Sequence, residues 1–447
     1  MKKGIDIVHG KLFPTMIAFA IPLVLSSVLQ TLYNAADSLI VGRYESANAL
    51  GAVGSAGPIV NILLNLFMGL TVGTNILVAK YRGGGREDMV KKASDTSIII
   101  GLFSGILVGL IGFFLAAPIA RLVKIDSEII DMTILYMQVF FLGIPFTALY
   151  NFIAATMRGI GNTKGPMITL IISGLVNVVF NIIFVKYMGL GVLGVAVATV
   201  ISQFLALVMI FVMLKKGEVG FSLKTIAFDK HIMTNTFKIG LPAGIQGMTF
   251  SVSNTIITSA VNSFGAAAAS GRAIVSQVEG ICYVAANSVG QAATTFSSQY
   301  IGAGKVKKLN SILWTAMGIA MTAVVIMSLG FYAAQDFIIE MFAPGDVQTA
   351  KFAKIAFDYI LLPYLLEVIM EIPAGTLRGM GATLVSMLGT VLGVCGIRWI
   401  WTLLLLPLYR DCGFLYLCYP VSWIFVGVLL IIIHLGYQKK LERLIHS

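Results

Sequence analysis

Runs of about twenty apolar residues recur along the 447-residue chain, each long enough to carry a helix across a hydrocarbon layer roughly 30 Å thick. In such a layer every backbone N–H and C=O must be satisfied within the protein, which leaves helices and closed barrels as spanning structures. A barrel needs short segments of alternating polarity; the runs here are continuous. Charge agrees. Asp, Glu, Lys and Arg make up 11% of the residues, against roughly 25% in a soluble domain. Twelve runs can be delimited, at 13–41, 55–79, 95–117, 133–156, 166–186, 192–214, 237–262, 274–299, 312–334, 354–376, 384–407 and 414–437. The first is too long and too polar for a cleaved signal peptide and is read as a true first helix. The expected fold is an all-α membrane protein of twelve transmembrane helices.

The formal net charge of +11 is informative through its placement. With the amino terminus in the cytoplasm, 22 of the 31 Lys and Arg fall on the cytoplasmic side, Lys2 and Lys3 among them. Eight fall outside, Arg272 included, and Arg398 lies within the eleventh run. Short loops rich in Lys and Arg stay in the cytoplasm, so both termini are expected there, in the cytoplasmic membrane. The basic balance therefore reports topology. No basic stripe interleaved with aromatics appears, so no nucleic-acid partner is expected. Cys282, Cys395, Cys412 and Cys418 lack metal-ligand spacing. His9, His231, His434 and His446 are placed in loops, tails or a helix end and read as interfacial.

The chain repeats itself. RGIGNTKGPM from Arg158 matches RGMGATLVSM from Arg378, and AIP ending at Pro22 matches GLP ending at Pro242, both at an offset of 220 residues. YRGGG from Tyr81 matches YIGAG from Tyr300 at 219. Six helices separate the copies, an even number, so the halves run parallel about an axis along the membrane normal. The expected organisation is an amino-terminal lobe over 1–214, a basic linker over 215–236 and a carboxy-terminal lobe over 237–447. The glycines of the repeated segments suit tight turns. Their arginines can cap helix ends, meet lipid phosphates or gate transport.

Together these residues resemble a known family. AIP in the first helix, Asp37 followed by VGR, LGAVGSAGP at 50–58, AKYRGGG, and RGxGxT in both halves are similar to the pattern of MATE (multidrug and toxic compound extrusion) transporters. The resemblance spans nearly the whole chain. It implies two six-helix lobes that export organic cations and other drugs in exchange for H⁺ or Na⁺, with no other cofactor.

Ionisable groups at mid-membrane cost at least about 2.5–3.5 kcal/mol, so those inside the spans mark candidate sites. Four acids fall there: Asp37, Glu279, Glu367 and Glu371. Gln30, Tyr33 and Asn34 share a helical face with Asp37. Asn177 and Asn181, an i, i+4 pair with Ser173 a turn earlier, could complete a cation or proton site with it; amide bonding between helices is the plain alternative. Ser276, Glu279, Tyr283 and Asn287 form a polar stripe on the eighth run. Glu367 and Glu371, also i, i+4, would repel when both are ionised, and Arg398 could neutralise one. At the 220 offset Glu371 corresponds to Asn151. The resemblance implies that Asp37 is the amino-lobe aspartate implicated in coupling, that Asn177 matches a family asparagine, and that Glu367 lies near a carboxylate of sodium-binding members. Some members carry Asp where Asn181 stands, which leaves Asp37 as the sole buried acid expected in the first half.

The leading expectation is a secondary-active exporter of small-molecule drugs or organic cations that works by alternating access as a monomer in the lipid bilayer. A lipid-linked precursor flippase, a channel and a membrane-embedded enzyme are the alternatives. No HExxH and no credible catalytic set is present, and the lack of GxxxxGK[ST] argues against ATP-driven pumping.

Overall fold

The computed structural model describes residues 4–217 and 226–446. Lys2, Lys3 and the 218–225 stretch of the expected linker lie outside the described residues. Among the described residues twelve long helical runs follow one another and no strand occurs: α1 (Leu12–Tyr44), α2 (Ala47–Gly83), α3 (Glu87–Leu122), α4 (Ile130–Gly159), α5 (Lys164–Tyr187), α6 (Gly191–Lys215), α7 (Lys230–Asn262), α8 (Ala266–Gly302), α9 (Val306–Ala333), α10 (347–379), α11 (Thr383–Leu405) and α12 (Cys412–Leu444). Eight are long and apolar enough to cross a membrane; α2, α7, α8 and α10 fall outside that set. The protein is thus an all-α, multi-pass membrane protein.

Several helices begin seven or eight residues before the apolar run does. α2 starts at Ala47, α3 at Glu87, α8 at Ala266 and α10 at Val347. Hydropathy marks the segment matched to hydrocarbon, whereas the hydrogen-bond ladder continues through polar turns beyond it. Arg272, expected in an outer loop, is consequently within the second turn of α8. A short helix, Gln335–Phe342, precedes α10 and was not anticipated; Ile338 and Ile339 are buried while Phe337 and Met341 are exposed. Asp346 caps α10, accepting from the Gln348 and Thr349 N–H groups and the Thr349 hydroxyl. These donors hold its carboxyl below the usual carboxylate range.

The sequence repeats are also structural repeats. In the turn after α4, Gly161 N–H bonds Arg158 O and Asn162 N–H bonds Met157 O; after α10, Gly381 N–H bonds Arg378 O and Ala382 N–H bonds Leu377 O. Gly161 has φ 90° and Gly381 φ 83°, a region that disfavours side chains. The turns after α2 and α8 match in the same way, with Gly85 at φ 67° and Gly304 at φ 71°.

The helices gather into two compact units. One holds Ile21–Gly244 and the segment ending at Asp6; the other holds Ile7–Ala20 and the chain from Ile245 onward. α1 and α7 therefore each change unit partway, within three residues of Pro22 and Pro242, the prolines paired by the 220 offset.

Small residues set the packing of the first unit. Gly101, Gly105, Gly109 and Gly112 line α3 where it meets Phe141, Pro145, Ala148 and Phe152 of α4. Gly69 and Gly73 of α2 face Gly240, Gly244 and the Thr236 carbonyl at the start of α7, closely enough that a Cβ would strike backbone. Such small-xxx-small stripes let membrane helices approach until dispersion and weak polar contacts hold them. Ile232 of α7 joins a buried cluster with Val78, Ile153, Met157 and Ile210. In the second unit Phe19 and Phe296 meet edge to face with centroids 5.5 Å apart, and Gly375 of α10 packs on Gly290 of α8.

The turn geometry gives a test. A Cβ on Gly161 would both force a non-glycine residue to positive φ and lie 2.6 Å from the Ile5 carbonyl oxygen. Gly161→Ala should cost at least about 1–2 kcal/mol and lower the thermal unfolding midpoint in detergent. Gly436→Ala, where a Cβ meets open space, should leave the midpoint unchanged or raise it.

Candidate ion-coupling and substrate-binding residues

In the first unit α1, α5 and α6 bring a set of polar side chains together. Asp37 is 9% exposed. Asn181 Nδ2 donates to Asp37 Oδ1 at 2.5 Å and to Asn177 Oδ1 at 3.1 Å. Asn177 Nδ2 reaches Thr199 Oγ1 of α6 at 3.5 Å. The i, i+4 spacing puts both amides on one face of α5. Directly after Asn181 the helix widens into a π-helical segment, Ile182–Tyr187, a distortion frequent at functional sites. Tyr33, one turn before Asp37, donates to the Ile171 carbonyl at 3.2 Å, and its ring fills the space beside Gly174. Ser173 is buried and bonds the Leu170 carbonyl within its own helix.

Other expected members do not join. The side chains of Gln30 and Asn34 are exposed and form no bond to Asp37. Asn151 donates to Thr147 O of its own helix at 2.8 Å. Among the described residues no cation pairs with Asp37, and Asn181 Oδ1 is buried without a hydrogen bond.

Asp37 is not the sole buried acid of this unit. Asp95 in α3 is 1% exposed and accepts from the Ala227 N–H at 3.2 Å, while Thr96 accepts from the Asp229 N–H at 3.1 Å. Asp229 in turn caps α7 through the His231 and Ile232 N–H groups. Asp95 thus anchors the chain entering α7. It was missed because it sits where the apolar run begins, a position that hydropathy assigns to the interface.

The second unit is arranged differently. Three interior glutamates are accompanied by three arginines of low exposure. Arg272 meets Glu279 at 2.6 Å and Arg378 meets Glu371 at 2.7 Å. Arg398 forms no ion pair with Glu367 or Glu371 but lies near enough to Glu367 to act on it electrostatically; its guanidinium lies over the Tyr419 ring at 4.3 Å and reaches Asn254 Oδ1 at 3.5 Å. Its helix is irregular here: α-helical Gly396–Ile400 is bracketed by π-helical Val391–Cys395 and Trp401–Leu405. Glu371 also accepts from Asn287 Nδ2 at 3.4 Å, and Asn287 bonds Tyr283 and Gln291. Glu367 is 4% exposed and its Oε2 has no hydrogen bond. Ser276 is exposed and bonds its own helix at Ala273. The described residues contain no group of three His, Cys, Asp or Glu placed to hold a metal ion.

The Glu371–Arg378 pair shows what the RGxGxT arginine of the second half touches, a contact that repeat matching alone did not reveal. His434 is also corrected. It is fully buried in α12, with Nδ1 2.9 Å from the Thr376 hydroxyl. Hydropathy set it at a helix end because the apolar run stops at 437 while α12 continues to Leu444. All four cysteines are free and buried, and Cys412 opens α12.

The ion pair predicts a non-additive cycle. Arg378→Gln alone strands a buried carboxylate and should destabilise by about 3–5 kcal/mol. The double variant Glu371→Gln/Arg378→Gln should recover most of that loss. Thermal unfolding of the four proteins in one detergent reads the coupling.

Long apolar helices, an internal repeat and polar groups buried inside each unit define a polytopic membrane carrier. The MatE family model matches residues 22–183 and 242–404, two stretches that begin 220 residues apart like the repeats. The chain belongs to the MATE family, whose members are transporters rather than enzymes. It is 27% identical over 395 residues to the probable multidrug resistance protein YoeA of Bacillus subtilis (strain 168), covering 86% of this chain and 85% of that protein. It is 30% identical to the probable multidrug resistance protein YpnP of the same organism, over 69% of each chain. Its fold matches the outward-facing conformation of a multidrug resistance MATE family transporter of the MOP superfamily with a TM-score of 0.90, at 19% identity and 99% coverage of both chains.

Proposed function

We propose that this protein is a secondary-active multidrug exporter of the cytoplasmic membrane, with both termini cytoplasmic, that exchanges organic cations for H⁺ or Na⁺. The names of YoeA and YpnP support drug efflux. The coupling residue is Asp37, and one observation carries that assignment: its buried carboxylate is met by a neutral amide and by no cation. Burying an unpaired carboxylate is costly, so the group has reason to take up a cation of its own. A proton can sit on the carboxylate. Na⁺ can be held by oxygens, and the unbonded Asn181 Oδ1 is a ready second ligand. Glu279 and Glu371, each already matched by an arginine, have less to gain from a bound cation. Glu367, buried with Oε2 unbonded and no ion pair among the described residues, is the one glutamate that shares the condition of Asp37; Asp37 is preferred for the unbonded Asn181 oxygen beside it.

Coupling then requires that the loaded and empty forms of Asp37 favour different conformations. Loading from outside stabilises the state that releases drug; drug entering from inside displaces the cation. Within the second unit three arginines are balanced by three glutamates, so the described interior has no excess positive charge to hold a lipid-linked phosphate. That balance favours the drug exporter over a flippase.

The test is efflux of a fluorescent organic cation from proteoliposomes under an imposed pH or Na⁺ gradient. Asp37→Asn should abolish gradient-driven efflux, a loss of at least tenfold, and Glu279→Gln should retain a larger share. Efflux by Asp37→Asn at the wild-type rate would refute the assignment. Turnover of a lipid-linked sugar without drug transport would refute the exporter.

A further inference from the structure

A cavity of about 580 Å³ opens in the second unit where the segment before α1, the turn from α8 into α9 and the end of α12 come together. Its wall carries Lys305, Lys307, Lys308, Ser311 and one acid, Glu442. Lys305 Nζ donates to the Val8 carbonyl at 3.0 Å and fixes the amino-terminal segment as one side. Glu442 accepts from Gln438 at 2.9 Å. Lys307 and Lys308 are exposed and belong to no ion pair among the described residues.

The corresponding place in the first half carries acids at positions where this one has none. At the 219 offset Lys305, Val306 and Lys307 correspond to Arg86, Glu87 and Asp88. The preceding turns share their hydrogen bonds, Arg86 N–H to Tyr81 O and Lys305 N–H to Tyr300 O. α3 opens with Glu87 and Asp88, acids that suit the positive end of a helix dipole, and Glu87 also pairs with Arg82 at 2.6 Å. α9 opens with lysines, which the same dipole disfavours. Lysines gathered around one concavity, with a single acid among them, repel one another and are relieved by an anion.

We infer that this cavity binds a phosphate group, either the headgroup of an anionic lipid or a phosphate free in solution. It lies at the end of the bundle where the Lys and Arg balance places the cytoplasm, the side where anionic headgroups meet basic pockets. Binding there would tether the α8–α9 turn to the segment leading into α1. The proposal does not depend on what the protein transports.

Full-length protein is placed in phosphatidylcholine nanodiscs containing a minor fraction of phosphatidylglycerol, and retained lipid is counted by native mass spectrometry. Wild type is compared with Lys307→Ala/Lys308→Ala and with a charge-matched control, Lys215→Ala/Lys216→Ala, on the same expected face. A lysine beside an anionic headgroup is worth about fivefold in affinity, so the cavity variant should bind phosphatidylglycerol roughly twenty-five-fold more weakly; the control, whose lysines do not line the cavity, should lose clearly less, the loss that any surface lysine on that face gives. Inorganic phosphate is then added in pure phosphatidylcholine nanodiscs. A phosphate-dependent rise in melting temperature, present in wild type and lost in the cavity variant, assigns the site to free phosphate. Lipid retention without that rise assigns it to the headgroup. Equal retention by wild type and cavity variant with no phosphate response would overturn the inference, as would an equal loss in the control.

Discussion

A carboxylate inside a helical bundle keeps its charge only when something positive, or something that donates hydrogen bonds, answers it. The two units of this protein meet that requirement in different ways. In the second, the answer is built into the chain for two of three glutamates: Arg272 holds Glu279, and Arg378 holds Glu371, while Glu367 is buried without an ion pair among the described residues. In the first, Asp37 has the amide of Asn181, itself bonded to Asn177, and no cation. A fixed arginine makes an acid structural. Its absence leaves room for a mobile cation, and that is the condition a coupling site has to satisfy.

The backbone around these acids is common to both halves. The turns after α4 and α10 repeat bond for bond, and so do those after α2 and α8. The scaffold was kept while the interior diverged, with Asn151 standing where the second half has Glu371. Conformational exchange needs helices that pack without large interlocking side chains. The glycines of α2 and the start of α7 meet backbone against backbone and provide such a surface; those of α3 instead seat Phe141 and Phe152 of α4. Pro22 and Pro242 mark where α1 and α7 pass from one unit into the other, so the chain changes unit at the places where a helix already lacks a backbone donor.

Much of this was legible in the sequence because the bilayer imposes simple rules. Apolar run length reported the helices, and the repeat offset reported the duplication. Asp37, Asn177 and Asn181 were grouped correctly in space because helical spacing and the cost of buried polarity act locally. What was not legible depends on side-chain aim over several turns or between helices. The i, i+7 reach of Arg272 to Glu279 and of Arg378 to Glu371 spans two turns, and hydropathy set Arg272 outside the membrane. Arg398 stacks on Tyr419, in a stretch with π-helical segments that no residue pattern announces. Gln30 and Asn34 share the face of Asp37 on a helical wheel yet remain exposed, since a wheel does not say which neighbour covers each turn. Asp95 and His434 were misplaced for one reason: helices outlast their apolar runs, so a polar residue near a run's end can still be inside the protein.

The central claim is that Asp37 carries the exchangeable cation and the arginine-paired glutamates do not. Infrared difference spectroscopy of the purified protein in lipid, recorded on acidification and separately on adding Na⁺, reports carboxyl groups that gain a proton or a metal ion. The account predicts a carboxyl signal that disappears in Asp37→Asn and persists in Glu279→Gln and Glu371→Gln. A signal that survives in Asp37→Asn and is lost with either glutamate would contradict it.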